Sequence, residues 1–405
     1  LKKLSIFLFV LFLVSSLNAE TFTLEEAVDL ARKNNPEIFA MKKKWESVRA
    51  RVKSEKTLEN PVVGYEKMYS GDETNYTISQ EFPFPGKLYT KGVVAGTEAL
   101  MAEQEYRSKE KEIVANVKKT VSMFLFARKS VALFKENVEL MEQFSRATES
   151  KYAAGKVSQG DALKAQTELS KMLNMLIMAE SEKETAQAML NLLLNLPPEN
   201  ILELSQVQSR KKLDLNLEDS LKLATQNRPE LLEAQHHARH FKTMLRSSRL
   251  EYWPDFMLSY RYRTAMNPSM DKTYDVMVEA SVPLWFWKQK SMAQSANLEQ
   301  EMADYEYSSM KNMTRYEIKN SWVKIKALED LLGLYETAIL PQSKSVLKVS
   351  LANYVGDKTS FLDLLDAQRS LLQSQLEYFK LEADVEQQKA DLERILGVEI
   401  VEAKK

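Results

Sequence analysis

All three histidines of this 405-residue chain fall within His236-His237-Ala238-Arg239-His240, and positions 236 and 240 have the helical spacing of a metal-ligand pair. Met172, Met175 and Met178 step by three along another stretch and offer thioether sulfur to soft cations. A solvated polar helix face accounts for the histidines more simply, and gap-filling in a core for the methionines, so no metal site is assigned and His236 and His240 stand as weak candidates only. A second constellation is Asp363 and Asp366, three apart and therefore on one helix face. Carboxylates converging on an axis from several copies would favour cations, whereas one acid in a helix's first turn would be an ordinary cap. Catalysis finds no parts: there is no cysteine, no Gly-x-Ser-x-Gly, no phosphate-cradling glycine loop, and every histidine lies on one short segment. The chain reads as a non-enzyme with no cofactor.

The elements that position these residues come in two copies. Phe22 to Ile38, with its Leu-Glu-Glu-Ala and Asn-Pro-Glu, returns 193 residues later, ending at Leu231, and Pro61 returns as Pro254 at the same shift. Tyr152, Ser158, Asp161, Leu163, Ala165, Gln166 and Leu169 return 202 residues later as Tyr354, Ser360, Asp363, Leu365, Ala367, Gln368 and Leu371. A unit this long is a duplicated architectural half rather than a solenoid repeat. The halves are residues 20–212 and 213–405. Within the repeat Asp363 has the partner Asp161, which suits a shared cap, whereas Asp366 faces Lys164, and a cap has no reason to reverse sign.

Between Pro85 and Pro197 there is no proline, and the apolar positions from Val114 to Met141 follow coiled-coil spacing. A break at residues 153–160 predicts a helical hairpin over about 87–196, whose first arm is on the order of 90 Å long at about 1.5 Å per residue. The second half predicts the same over about 288–396, breaking at Tyr354-Val355-Gly356-Asp357-Lys358, with Pro341 kinking or breaking its first arm. Before each rod, alternating text predicts a strand hairpin, about 60–83 and 254–283, the second with a turn about seven residues longer around Asn267-Pro268. Trp253, Trp285 and Trp287 flank the second hairpin and Phe82 and Phe84 the first, in the manner of a membrane-interface girdle. Four strands cannot close a barrel, so a membrane role requires an oligomer.

Residues 1–19, with Lys2 and Lys3, an apolar run from Leu4 to Val14 and a small-residue end at Ala19, are expected to be a cleaved secretory signal peptide. A formal net charge of −1 gives no basic field for nucleic acid.

Together these features resemble the TolC family of outer-membrane efflux channels. The residues that carry the resemblance are Leu24-Glu25-Glu26-Ala27 through Asn35-Pro36-Glu37, Phe82-Pro83-Phe84-Pro85-Gly86-Lys87, and Tyr354 through Gln368. It implies a mainly α chain with a membrane β-barrel portion: a homotrimer whose strands form a twelve-stranded barrel in outer-membrane lipid, continued by a helical barrel through the periplasm of a Gram-negative-type bacterium. The implied partners are a periplasmic membrane-fusion adaptor and an inner-membrane pump of RND or ABC type. The resemblance places a pore and gate at Asp366, Asp363, Asp161 and Tyr354, and adaptor-docking tips at Gly155, Val157, Ser158, Gly356 and Ser360. The family's latching arginine aligns with Thr359, with Lys358 one place away and able to pair with Asp161 of a neighbouring protomer. The Phe-Pro-Phe-Pro-Gly-Lys stretch resembles the metal-cation branch. A type I secretion channel would share the whole fold, and a periplasmic coiled-coil adaptor would share the helical hairpin but hold only one.

Overall fold

The computed structural model describes residues 21–68, 73–205, 216–265 and 273–399. The signal-peptide expectation and the longer turn at 267–268 lie outside these residues. The first half runs β1 (Thr21–Phe22), α1 (Leu24–Asn34), α2 (Pro36–Glu55), β2 (Val62–Met68), β3 (Glu73–Phe82), α3 (Lys87–Ala153) and α4 (Gln159–Leu194). After β4 (Glu203–Leu204) the second half repeats this order: α5 (Leu217–Asn227), α6 (Pro229–Leu250), β5 (Asp255–Ala265), β6 (Thr273–Ser281), α7 (Phe286–Leu334), α8 (Leu340–Val355) and α9 (Phe361–Leu396).

The long rods form because their apolar residues repeat at heptad spacing. Val114, Val117, Val121, Phe124, Val131, Phe134, Val138 and Met141 are all buried along α3. This seam packs on α4 and α9, so the two hairpins of one chain lie side by side through α3 and α9. On α4 the buried residues near the tip are Ala162, Ala165, Met172 and Ala179, with Leu190, Leu193 and Leu194 buried at its far end, whereas Leu163, Leu173, Ile177, Met175 and Met178 are exposed. The methionine triplet is therefore not uniformly core filling, because only Met172 faces α3. The opposite edge of the chain, on α7 and α8, likewise exposes Tyr305, Tyr316, Val323, Val346 and Val349.

The kink or break expected at Pro341 takes the form of a local widening just before it. Tyr335–Ile339 forms one π-helical turn between α7 and α8, which accommodates a residue lacking an N–H without ending the rod. Two tyrosine–glutamate bonds brace the turn against α9: Tyr335 to Glu377, and Tyr378 to Glu336 at 2.8 Å.

The strands make one antiparallel sheet in the order β2-β3-β5-β6. Its register puts Val63, Ile78, Tyr260 and Val276 in one row and Tyr65, Tyr76, Tyr262 and Tyr274 in the next on that face. The opposite face carries Glu66, Asn75, Arg263 and the Arg263–Asp275 ion pair. Among the described residues no helix is long and apolar enough to cross a membrane.

Candidate functional site

The predicted gate residues converge where the two helical hairpins end. At the first tip α3 stops because Gly155 takes a left-handed conformation (φ 70°), letting the Lys156 N–H reach back to the Lys151 carbonyl at 2.9 Å. At the second tip the equivalent bond runs from the Lys358 N–H to the Asn353 carbonyl at 2.8 Å, and the left-handed residue is Asp357 (φ 56°). Gly356 has φ −81° and sits one place before the left-handed residue. Ser158 and Ser360 are the N-caps of α4 and α9, each in a reciprocal box with Asp161 or Asp363. Oδ2 of each aspartate accepts from the serine backbone N–H, at 3.4 and 3.1 Å, as well as from its hydroxyl, so both acids complete a capping box.

Tyr354 is buried between the hairpins. Its ring lies against Phe361, and its hydroxyl is 3.3 Å from Thr148 Oγ1. Lys151 reaches across from the first tip: Nζ donates to the Tyr354 carbonyl at 2.8 Å and to Asp357 at 2.5 Å, and stands 4.3 Å from the Tyr354 ring centre. Lys156 adds a second, longer contact to Asp357 at 3.4 Å. These hydrogen bonds from Lys151 and Lys156 hold the Asp357 carboxyl below the usual carboxylate range. From the sequence Asp357 was only part of the predicted break and neither it nor Lys151 had a site role, although the 202-residue shift that pairs Ser158 with Ser360 also pairs Gly155 with Asp357.

Asp366 is exposed one turn beyond the cap and stands 3.5 Å from Arg369. Arg369 also bonds Glu168 on α4, which Lys171 contacts at 2.8 Å. Burial works against the Glu168 carboxylate, yet these two cations hold its pKa below the ordinary value. Lys358 is exposed, and the Thr359 hydroxyl oxygen is enclosed with no hydrogen-bond partner among the described residues.

The histidines do not assemble. His240 bonds Thr97 on α3 at 3.1 Å, while His237 faces Glu306 on α7 at 3.4 Å. Burial lowers the pKa of both His236 and His240. No group of three or more histidine or carboxylate side chains able to hold a metal ion occurs among the described residues.

Both halves take part in one further relationship. A profile of the outer membrane efflux protein family matches residues 27–196 and 220–398. The chain belongs to this family. It is similar to the cobalt-zinc-cadmium resistance protein CzcC of Cupriavidus metallidurans, with 24% identity over 94% of this chain and 91% of that protein. The solved outer membrane channel CmeC of Campylobacter jejuni superposes with a TM-score of 0.81 at 18% identity, covering 94% of this chain and 87% of that one. The outer membrane protein VceC of Vibrio cholerae gives 0.78 at 16%, covering 93% and 96%. As a member of the outer membrane efflux protein family the chain is a channel component rather than an enzyme.

Proposed function

We propose that three copies of the chain form the outer-membrane duct of a tripartite export system, open to the periplasm at the helical tips. The observation that carries this reading is the sheet. Its face with the Tyr65-Tyr76-Tyr262-Tyr274 row is bounded six residues away along β3 by the Phe82–Phe256 pair, and then by Trp253, Trp285 and Trp287. Six residues of strand span about 20 Å, which suits the apolar band of a membrane barrel between two aromatic girdles. Among the described residues strands β2 and β6 have unpaired outer edges, and lipid does not tolerate open edges. Pairing β6 of one copy with β2 of the next closes twelve strands in a trimer. The same operation brings the exposed apolar residues of α4 against those of α7 and α8. Sodium dodecyl sulfate electrophoresis of the outer-membrane fraction tests it: heat-modifiable trimers are expected, and monomers in the soluble periplasm would overturn the assignment.

The tips are the entrance, with Val157, Ser158, Thr359 and Ser360 offered to an adaptor, and Asp366, Asp363 and Asp161 beside the opening. Lys358 takes the latching role toward Asp161 of a neighbouring copy. A cation cargo is supported by the likeness to a cobalt-zinc-cadmium resistance protein and by the exposed Asp366. Export is paid for by the partner pump, since the chain has no energy-coupling site. Deleting the gene and plating on zinc, cobalt and cadmium salts, bile-type detergents and dyes distinguishes cargo classes, and unchanged metal tolerance would remove the cation reading while leaving the duct intact.

A further inference from the structure

The aromatic cluster below the sheet continues into a belt of positive charge. Antiparallel pairing brings the start of β2, the end of β3, the start of β5 and the end of β6 to one edge, so α2, α3, α6 and α7 all meet the sheet at the same level. Helices α1, α2, α4, α5, α6 and α9 each carry an acid in the first turn, as the helix dipole favours. Helices α3 and α7, the two that begin at this edge, carry none, and neither does α8, which continues α7 through the π-helical turn. No acid occurs from Lys87 to Thr97 or from Phe286 to Leu298, and each stretch holds two lysines. Lys87 is buried and neutralised by Asp255 and Glu251, whereas Lys91, Lys288 and Lys290 are exposed.

At the same level α2 ends with exposed Arg51 and Lys53, and α6 with exposed Arg246 and Arg249. Cations at those C-termini agree with the dipole, but at the starts of α3 and α7 they oppose it. What the four ends share is their level and not their polarity, so a local dipole does not explain the charge. The acids of the sheet edge, Glu81 and Glu279, lie in one register row with Met257 on the face opposite the tyrosines. Glu55 and Glu59 are the remaining acids near the ends of these helices. Beside the lysines stand Tyr89, Trp285, Phe286 and Trp287, all exposed, with Trp285 and Trp287 in ring contact at 5.2 Å.

We propose that this aromatic and cationic belt is a docking surface for the anionic phospholipid headgroups of the leaflet nearest the helical rods. The inference rests on the membrane-barrel reading above. The indole rings occupy the boundary between acyl chains and headgroups, and Lys91, Lys288 and Lys290 extend to the phosphates, which supply the anion that α3 and α7 lack.

The test uses the full chain reconstituted in phosphatidylcholine vesicles with an equal mole fraction of either brominated phosphatidylglycerol or brominated phosphatidylcholine, read by tryptophan quenching. Stronger quenching by the anionic lipid is expected, with a relative affinity of about fivefold that falls as salt is raised. The K91Q/K288Q/K290Q variant, altered only at exposed side chains, should quench equally with both lipids. Equal quenching in the wild type, or a preference that survives in the variant, overturns the inference but leaves the barrel standing. If neither lipid quenches, the membrane-barrel reading itself fails.

Discussion

Lys151 and Asp357, 206 positions apart, join the tips of the two helical hairpins. One ammonium bonds the Asp357 carboxylate at 2.5 Å and the Tyr354 carbonyl at 2.8 Å, so the ends of α3 and α8 cannot separate without breaking both. Replacing Asp357 by Asn removes the charge and leaves an acceptor for one bond. Asp357→Asn is expected to raise single-channel conductance in planar bilayers several-fold, Lys151→Met to do at least as much, and Lys156→Gln to do less because its contact is longer. Wild-type conductance in Lys151→Met would show that this junction does not hold the entrance closed.

The same pair sets a pH dependence. The two lysines depress the folded-state pKa of Asp357, so the contact is fully present above the ordinary carboxylate pKa and is lost as pH falls through the depressed value. Conductance should therefore rise on acidification below about pH 4. In Asp357→Asn that rise should be absent, with the channel already open at neutral pH.

Much of this architecture was legible in the sequence because duplication and periodicity are local text. The heptads from Val114 to Met141 gave the buried seam of α3, and alternation around Phe256–Tyr262 gave the sheet face. The caps at Ser158 and Ser360 were readable from Asp161 and Asp363 three residues on. The contact of Lys151 with Asp357 was not, since its partners belong to separate hairpins and no spacing links them. The left-handed residue of the second tip was not legible either, because glycine is the usual occupant of that conformation; aspartate tolerates it well enough to stand there. The tyrosine row escaped notice because it is assembled from four strands, one tyrosine each.

At the junction of sheet and rods, Lys87 is a buried cation with two acidic neighbours. Its Nζ lies 2.8 Å from Asp255, whose other oxygen accepts the Phe84 N–H at 2.8 Å, while Phe84 stacks on Trp253 at 4.9 Å between ring centres. Asp255→Ala would leave the buried ammonium only its longer contact to Glu251 at 3.3 Å and the Phe84 donor without its acceptor. A loss of about 3 kcal/mol is expected in denaturant unfolding. Lys87→Met with Asp255→Asn should lose less than Asp255→Ala alone, because no buried charge is then left without its partner. The reverse order would mean that the pair's attraction exceeds the cost of burying it.

Asp366 and Arg369 predict opposite effects on ion selectivity. They are 3.5 Å apart on the exposed face of α9, so the arginine offsets the carboxylate's field. Asp366→Asn is expected to move the reversal potential in a salt gradient toward zero, and Arg369→Gln to move it further toward the cation value. Asp363→Asn should alter the potential less, because that carboxylate is already engaged by Ser360. An unchanged potential in Asp366→Asn would remove the residue from the conducting path.

The last turn of α9 gives a stability prediction with an internal control. Helix α4 ends at Asn195 and α9 at the matching Gly397, both left-handed with φ of 57° and 72°. Only the glycine is pressed by another element: a Cβ there would lie 2.2 Å from the Asn227 carbonyl oxygen and 2.9 Å from the Arg228 N, in the link between α5 and α6. Those are backbone atoms, and Arg228 is itself pinned by Thr314 at 3.0 Å and Glu317 at 2.6 Å, so the link has little freedom to yield. Gly397→Ala therefore combines left-handed strain with overpacking and should lower stability by about 3 kcal/mol in thermal or denaturant unfolding. Asn195→Gly, at the matched position, should change it by only a few tenths of a kcal/mol. Equal effects at the two positions would mean that backbone conformation alone, and not the close approach of the α5–α6 link, required glycine at the end of the second rod.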